Sequence, residues 1–203
     1  MIVGKDFIWL HFPKCAGTET EQILRRNFDA DPGIAFDPID RLNVIWHHSI
    51  PFRKANDRTF DVGNRAVICN IRRLPSWLLS RVHDEYVRSP QHVVTREMFT
   101  SGKFFRVDGH VMSADDFMKR YTTYPVTHWI RTEHFAADFT AVFSRYLDLS
   151  GIDVGSEIKR TNVNAMNYIR DVEFYFTPDE LAGLYRANPL WADMERQVYG
   201  EAP

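Results

Sequence analysis

The chain has 203 residues, 44% of them hydrophobic and 26% charged, enough to bury a sizeable core and too apolar for a disordered chain. Its formal net charge of -2 supplies no global positive field to recruit nucleic acid or an anionic membrane, so any anion site has to be local. Two cysteines, Cys15 and Cys69, make no disulfide framework and are too few for a zinc site built on cysteines alone, which predicts a reducing, cytoplasmic setting.

The apolar run Phe7–Phe12 is too short for a signal core or a membrane span, and it reads as a buried strand. No later segment reaches spanning length. Pro13–Gly17 breaks the run. Thr18 with Glu21 three residues on has the pattern of a capping box, and Ile23, Leu24 and Phe28 give the following helix an apolar stripe. Residues 29–40 read as loop. Leu42–Trp46 reads as a second strand, followed by His47-His48-Ser49, and Ala66–Ile71 as a third, nearly all-apolar strand. Pro75 ends the turn after it. Ser76 can cap a helix to about Arg88 whose buried side is Trp77, Leu78, Val82 and Tyr86.

Residues 89–112 show no clean period. Their basic side chains and Phe99, Phe104 and Phe105 fit either a lid over an acceptor or a solvated loop with apolar anchors. Ser113 with Asp116 starts a short helix through Tyr121, and Val126–Ile130 reads as a fourth strand. Glu133–Leu147 has helical spacing at Phe135, Phe139, Val142, Phe143 and Tyr146. Thr177-Pro178-Asp179-Glu180 is a helix start, with a cap, a proline in the first turn and an acid at the third position. A last helix ends near Tyr199. No repeat or linker interrupts the chain, which reads as one domain over 1–203.

Strands alternate with helices, and the early strands are apolar on both faces. That pattern predicts an α/β fold of three layers, a central parallel sheet flanked by helices. Such sheets bind ligands beyond the carboxyl ends of their strands, which directs attention to three strand exits. At the first, Pro13-Lys14-Cys15-Ala16-Gly17-Thr18 enters a helix. Backbone amides there form an anion cradle, Lys14 adds a full charge, Thr18 a hydroxyl, and Gly17 permits close approach. The loop departs from G-x-x-x-x-G-K-[ST] because its lysine precedes the glycine, which disfavours a metal-dependent NTPase. At the third exit, Arg72 and Arg73 leave a buried strand ahead of Ser80, and guanidinium with hydroxyl suits a phosphate. At the second, His47 and His48 offer an imidazole able to take a proton near neutral pH. The remaining histidines lack H-E-x-x-H or C-x-x-C company, so no metal site is predicted.

Together these segments resemble the family of sulfotransferases that use 3′-phosphoadenosine-5′-phosphosulfate (PAPS), in the bacterial type similar to carbohydrate sulfotransferases. Pro13–Thr18 resembles the 5′-phosphosulfate loop, and Arg72…Pro75…Ser80 the 3′-phosphate motif. Arg131–Phe135 with Asp138, then Lys159–Asn164, then Glu195 with Val198-Tyr199-Gly200, resemble the family's later pattern in the same order. The resemblance implies a P-loop-like nucleotide-binding sulfotransferase fold and sulfonyl transfer from PAPS, without a metal, to an acceptor hydroxyl or amine on a small molecule or carbohydrate. It implies donor binding by Lys14, Cys15, Ala16, Gly17, Thr18, Arg72 and Ser80, and catalysis by Lys14 with a histidine base.

Arg72 is preferred over Arg73 because it stands eight residues before Ser80, although Arg73 has the family's distance to Pro75. Strand alternation sends the two imidazoles to opposite faces, and His48, further past the strand end, is preferred over His47. Glu19 stands where the family often has a hydroxyl, and an acid beside a phosphate costs affinity unless it points away. That substitution and the shifted Arg-Arg-Leu-Pro spacing motivate a second reading, a catalytically inactive nucleotide-binding or interaction protein of the same fold. A nucleotide kinase is a third, opposed by the missing Walker lysine-serine pair. The sequence leaves the acceptor and the oligomeric state open.

Overall fold

The structure, a computed structural model, describes residues 1–39, 45–106, 108–158 and 168–200, without the side chain of Trp46. In chain order the elements are β1 (Ile2–Val3), β2 (Phe7–Leu10), α1 (Gly17–Phe28), β3 (Ala35–Phe36), α2 (Ile50–Asn56) and β4 (Ala66–Ile71). Then come α3 (Leu74–Arg88), α4 (Arg96–Thr100), β5 (Lys103–Phe105), β6 (Val111–Ser113), α5 (Ala114–Thr122) and β7 (His128–Arg131). The chain closes with α6 (Phe135–Phe143), α7 (Val154–Glu157), α8 (Pro178–Ala187) and α9 (Pro189–Tyr199). Two compact units result, residues 1–71 with 121–161 and residues 72–120 with 162–203. No described helix is long and apolar enough to cross a membrane.

The first unit is built on a five-stranded sheet in the order β3-β1-β2-β4-β7. β2, β4 and β7 run parallel, with Trp9 opposite Ile68 and Cys69 opposite Trp129. The sheet is mixed where an all-parallel one was expected, because β1 pairs antiparallel with both β2 and β3. Three residues link β1 to β2, closed by Gly4 N–H donating to the Phe7 carbonyl at 2.9 Å; only an antiparallel pair joins over so short a link. One face of the sheet, with Phe7, Trp9, Ile68 and Ile130, packs on Ile23 and Leu24 of α1 and on Phe135, Phe139 and Phe143 of α6. These are the stripes read from the helical spacing.

A buried polar chain crosses this apolar core. The Trp9 indole donates to Asn70 Oδ1 at 2.8 Å. Asn70 Nδ2 donates to the Thr20 hydroxyl at 3.0 Å, which donates to the Ala16 carbonyl at 3.2 Å. Every member is bonded, as burial demands, and the loop ahead of α1 is thereby tied to β2 and β4.

Of the expected strand Leu42–Trp46, Leu42–Val44 lie outside the described residues, and Ile45–His47 make a 3₁₀ turn that leads through Ser49 into α2. Lys159–Asn164 also lie outside them.

The second unit is centred on Trp77 of α3. Its indole meets Trp191 of α9 at 4.5 Å, Phe104 of β5 at 5.3 Å and Phe117 of α5 at 5.5 Å between ring centroids. Phe99 and Phe104 are buried, so residues 89–112 carry apolar anchors, with β5 and β6 paired as a hairpin. α8 starts with a full capping box between Thr177 and Glu180, as the sequence pattern implied.

Two expectations about α3 change. Tyr86 is 57% exposed and Val82 half-buried, whereas Arg81 and Glu85 are buried with Nη2 and Oε2 3.0 Å apart. Hydrophobic spacing alone does not register an ion pair that goes inside together. Nor does Ser76 cap the helix, which begins two residues earlier behind Arg73.

Candidate functional site

The exit of β2 is an irregular loop with two non-glycine residues in the left-handed region, Lys14 at φ 68° and Ala16 at φ 56°. Each costs about 1–2 kcal/mol relative to right-handed backbone, and such outliers persist where the surroundings enforce them, commonly at ligand clamps. Left-handed Ala16 runs directly into helical Gly17, and this change of hand turns successive N–H groups to one side, the geometry of an anion-binding nest at a helix N-terminus. Cys15 is buried, Lys14 and Ala16 half-buried, and Thr18 exposed.

The predicted capping box is absent. α1 starts behind Ala16, no side chain caps it, and Glu21 turns inward to Arg25 at 2.9 Å and to His11 at 3.5 Å. The first-turn amides are therefore not satisfied by a Thr18 cap. Glu19 occupies that same first turn, where a carboxylate is favoured by the helix dipole.

Gly17 has a reason the sequence did not reveal. A Cβ there would stand 2.1 Å from His11 Cδ2 and 2.2 Å from Nε2. His11, 6% exposed, lies directly against the first residue of the helix. Its Nδ1 makes no hydrogen bond among the described residues and faces Glu21 Oε2 at 3.5 Å. Burial pushes the His11 pKa down, the Glu21 carboxylate opposing it, so the ring is held neutral. Burial pushes the Glu21 carboxyl up, but the nearby His11 ring and its bonds from Arg25 bring it below the ordinary range. Gly17→Ala is expected to destabilise the chain by about 1–3 kcal/mol through this collision, read as a lowered denaturation midpoint; an unchanged midpoint would contradict the contact.

The two histidines of the second exit differ in surroundings. The His47 ring stands edge-on to His11, with centroids 4.5 Å apart at 88°, and its carbonyl accepts the Tyr121 hydroxyl at 2.8 Å. His48 instead packs on Phe52, 4.5 Å between centroids at 72°. Its Nδ1 is buried without a hydrogen bond among the described residues. Burial and then the Arg53 charge lower its pKa. A proton on that Nδ1 would be a buried donor with no acceptor, which favours the tautomer protonated on Nε2.

In the second unit, Arg73 is committed. Its Nη1 lies 3.2 Å from Glu195 Oε2 and its guanidinium 4.0 Å above the Tyr199 ring. Glu195, 0% exposed, also accepts the Leu74 N–H at 2.5 Å and the Tyr185 hydroxyl at 3.2 Å. It supplies the cap that Ser76 does not, and burial raises its pKa. Arg72 makes no side-chain hydrogen bond or ion pair among the described residues; only its carbonyl is engaged, by the Trp191 indole at 3.2 Å. The Ser80 hydroxyl likewise has no partner among them, although Ser80 is 4% exposed. Ser80 stands six residues beyond Leu74, about 9 Å along the axis at 1.5 Å per residue. This is nearer two turns than one, so Arg72 has to lie back along α3 to act with it.

Arg131 and Asp138 close on each other. The Arg131 N–H and guanidinium reach the carboxylate at 2.9, 2.7 and 2.8 Å, locking β7 to the start of α6. Comparison of the chain with family models, with curated proteins and with solved structures returns no match.

Proposed function

We propose that the chain is a PAPS-dependent sulfotransferase on a three-layer, P-loop-like nucleotide-binding fold, moving a sulfonyl group to an acceptor hydroxyl or amine. The observation that carries this reading is the loop at 13–18, whose left-handed Lys14 and Ala16 set a nest at the start of α1. Lys14, the N–H groups of Cys15, Ala16 and Gly17, and Thr18 are assigned to the 5′-phosphosulfate. Arg72 and Ser80 are assigned to the 3′-phosphate, the group that separates this donor from ATP. In support, the side chains of Arg72 and Ser80 have no hydrogen-bond or ion-pair partner among the described residues, whereas that of Arg73 is held by Glu195.

Chemically, the acceptor oxygen or nitrogen bonds to sulfur as the bond from sulfur to the phosphate oxygen breaks. The acceptor's proton passes to an imidazole of the His47–His48 pair. Lys14 and the loop amides stabilise the charge left on the departing nucleotide phosphate. The sequence prefers His48, but contact with His11 favours His47.

Incubation with radiolabelled PAPS and a panel of carbohydrate, phenol and amine acceptors tests the reading. Label on an acceptor is the expected result; donor binding without transfer to any acceptor would mark a catalytically inactive binder. Arg72→Ala is expected to weaken binding of the product 3′-phosphoadenosine-5′-phosphate by roughly 10–100-fold, the worth of a hydrogen bond to a charged group, and to leave adenosine diphosphate binding unchanged. Equal loss for both nucleotides in titration calorimetry would remove Arg72 from the 3′-phosphate.

A further inference from the structure

Gly17 of the anion loop and His47 both touch the same buried ring. An added Cβ at Gly17 would fall 2.1–2.2 Å from His11, and the His47 ring meets His11 at 4.5 Å, nearly perpendicular. Trp9 closes a further side at 5.2 Å, and Glu21, itself held by Arg25 at 2.9 Å, stands behind Nδ1 at 3.5 Å. His11 therefore has fixed neighbours on several sides and little freedom to tilt.

We propose that His11 is a positioning residue: a rigid spacer that sets the separation between the anion loop and the proton-accepting His47. The inference rests on the sulfotransferase reading and deepens it by choosing the base and naming what places it. The ring bears on the first residue of α1 on one side and on the edge of the His47 imidazole on another. The two groups that must act on opposite sides of the transferred sulfur are thus gauged by one side chain. Glu21 favours a proton on Nδ1, and burial keeps the ring uncharged, so no imidazolium competes with Lys14 for the donor. The Tyr121 hydroxyl on the His47 carbonyl fixes the backbone of the base independently.

Misplacement of reacting groups by about 1 Å can cost on the order of 100-fold in rate with little change in binding. The experiment compares the wild-type chain with His11→Ala, His11→Phe, His47→Ala and His48→Ala. Transfer of label from PAPS is measured alongside calorimetric binding of 3′-phosphoadenosine-5′-phosphate. His11→Ala is expected to lower kcat by on the order of 100-fold while product binding changes less than about threefold. His11→Phe keeps a ring of similar thickness, and Arg25 still holds Glu21, so it should restore most of the lost kcat. His47→Ala should lose more activity than His48→Ala.

A loss of nucleotide binding in His11→Ala that matches the loss of kcat, with no rescue by phenylalanine, would overturn the spacer role. Full activity in His47→Ala would overturn it as well. A wild-type chain that binds the nucleotide and transfers nothing would overturn the sulfotransferase reading, and the spacer with it.

Discussion

Under the proposed sulfotransferase reading, Lys14→Ala is expected to lower sulfonyl transfer by on the order of 100-fold or more, the usual cost of removing a charge aligned with the leaving group, and to leave the chain folded. The lysine sits half-buried in the left-handed region, a conformation that a residue with a Cβ adopts only under constraint. Retaining a side chain there has a use if its charge is aimed at a ligand. Lys14→Gly sharpens the prediction. Glycine relieves about 1–2 kcal/mol of left-handed strain against an entropic cost of about 0.5–1 kcal/mol. The glycine variant should be at least as stable as the wild type and as inactive as the alanine variant. Denaturant titration beside the labelled-donor assay reads both quantities. Full turnover in either variant would remove Lys14 from the chemistry.

Glu195→Ala carries the largest expected effect on stability, about 3 kcal/mol. The fully buried carboxylate meets the Leu74 N–H, the Arg73 guanidinium and the Tyr185 hydroxyl. Removing it strands a buried amide donor and a partly buried cation, and each such loss costs on the order of 1–3 kcal/mol. Because Arg73 is 25% exposed, water recovers part of its solvation, which keeps the total below that of a fully buried pair. Glu195→Gln retains an acceptor for Leu74 and should recover part of the loss. Glu195→Ala removes the carboxylate partner of Arg73, so titration of the alanine variant with the nucleotide also tests whether a second arginine can then join the 3′-phosphate. A denaturation midpoint equal to that of the wild type would show that the start of α3 does not depend on this carboxylate.

What the sequence made legible follows from how local each signal is. β4 is a six-residue, nearly all-apolar run with turn residues beyond it, and its boundaries match the pattern. The Thr177–Glu180 box and the apolar stripe of α6 are complete within one or two helical turns. β1 and β3 are two residues each and exist through their pairing, which no periodicity can show. The start of α3 is capped by a residue 121 positions away, and α1 begins where a left-handed alanine allows it. At the candidate site, residue types and spacing are what single out the loop and the arginine pair. A histidine at a strand end gives no sign that it lies against a helix start, so the sequence does not reveal the contact of His11 with Gly17. A small residue at the first position of a helix, opposite a strand-end ring, is the signal that was available.

The central claim is recognition of a nucleotide carrying both a 5′-phosphate and a 3′-phosphate. Calorimetric titration of the wild-type chain with 3′-phosphoadenosine-5′-phosphate, set beside adenosine diphosphate, is the most direct measurement of it. The 3′-phosphorylated nucleotide is predicted to bind at least roughly tenfold tighter, the worth of one charged hydrogen bond to Arg72. Equal affinity for the two nucleotides, or heat from neither, would contradict the account.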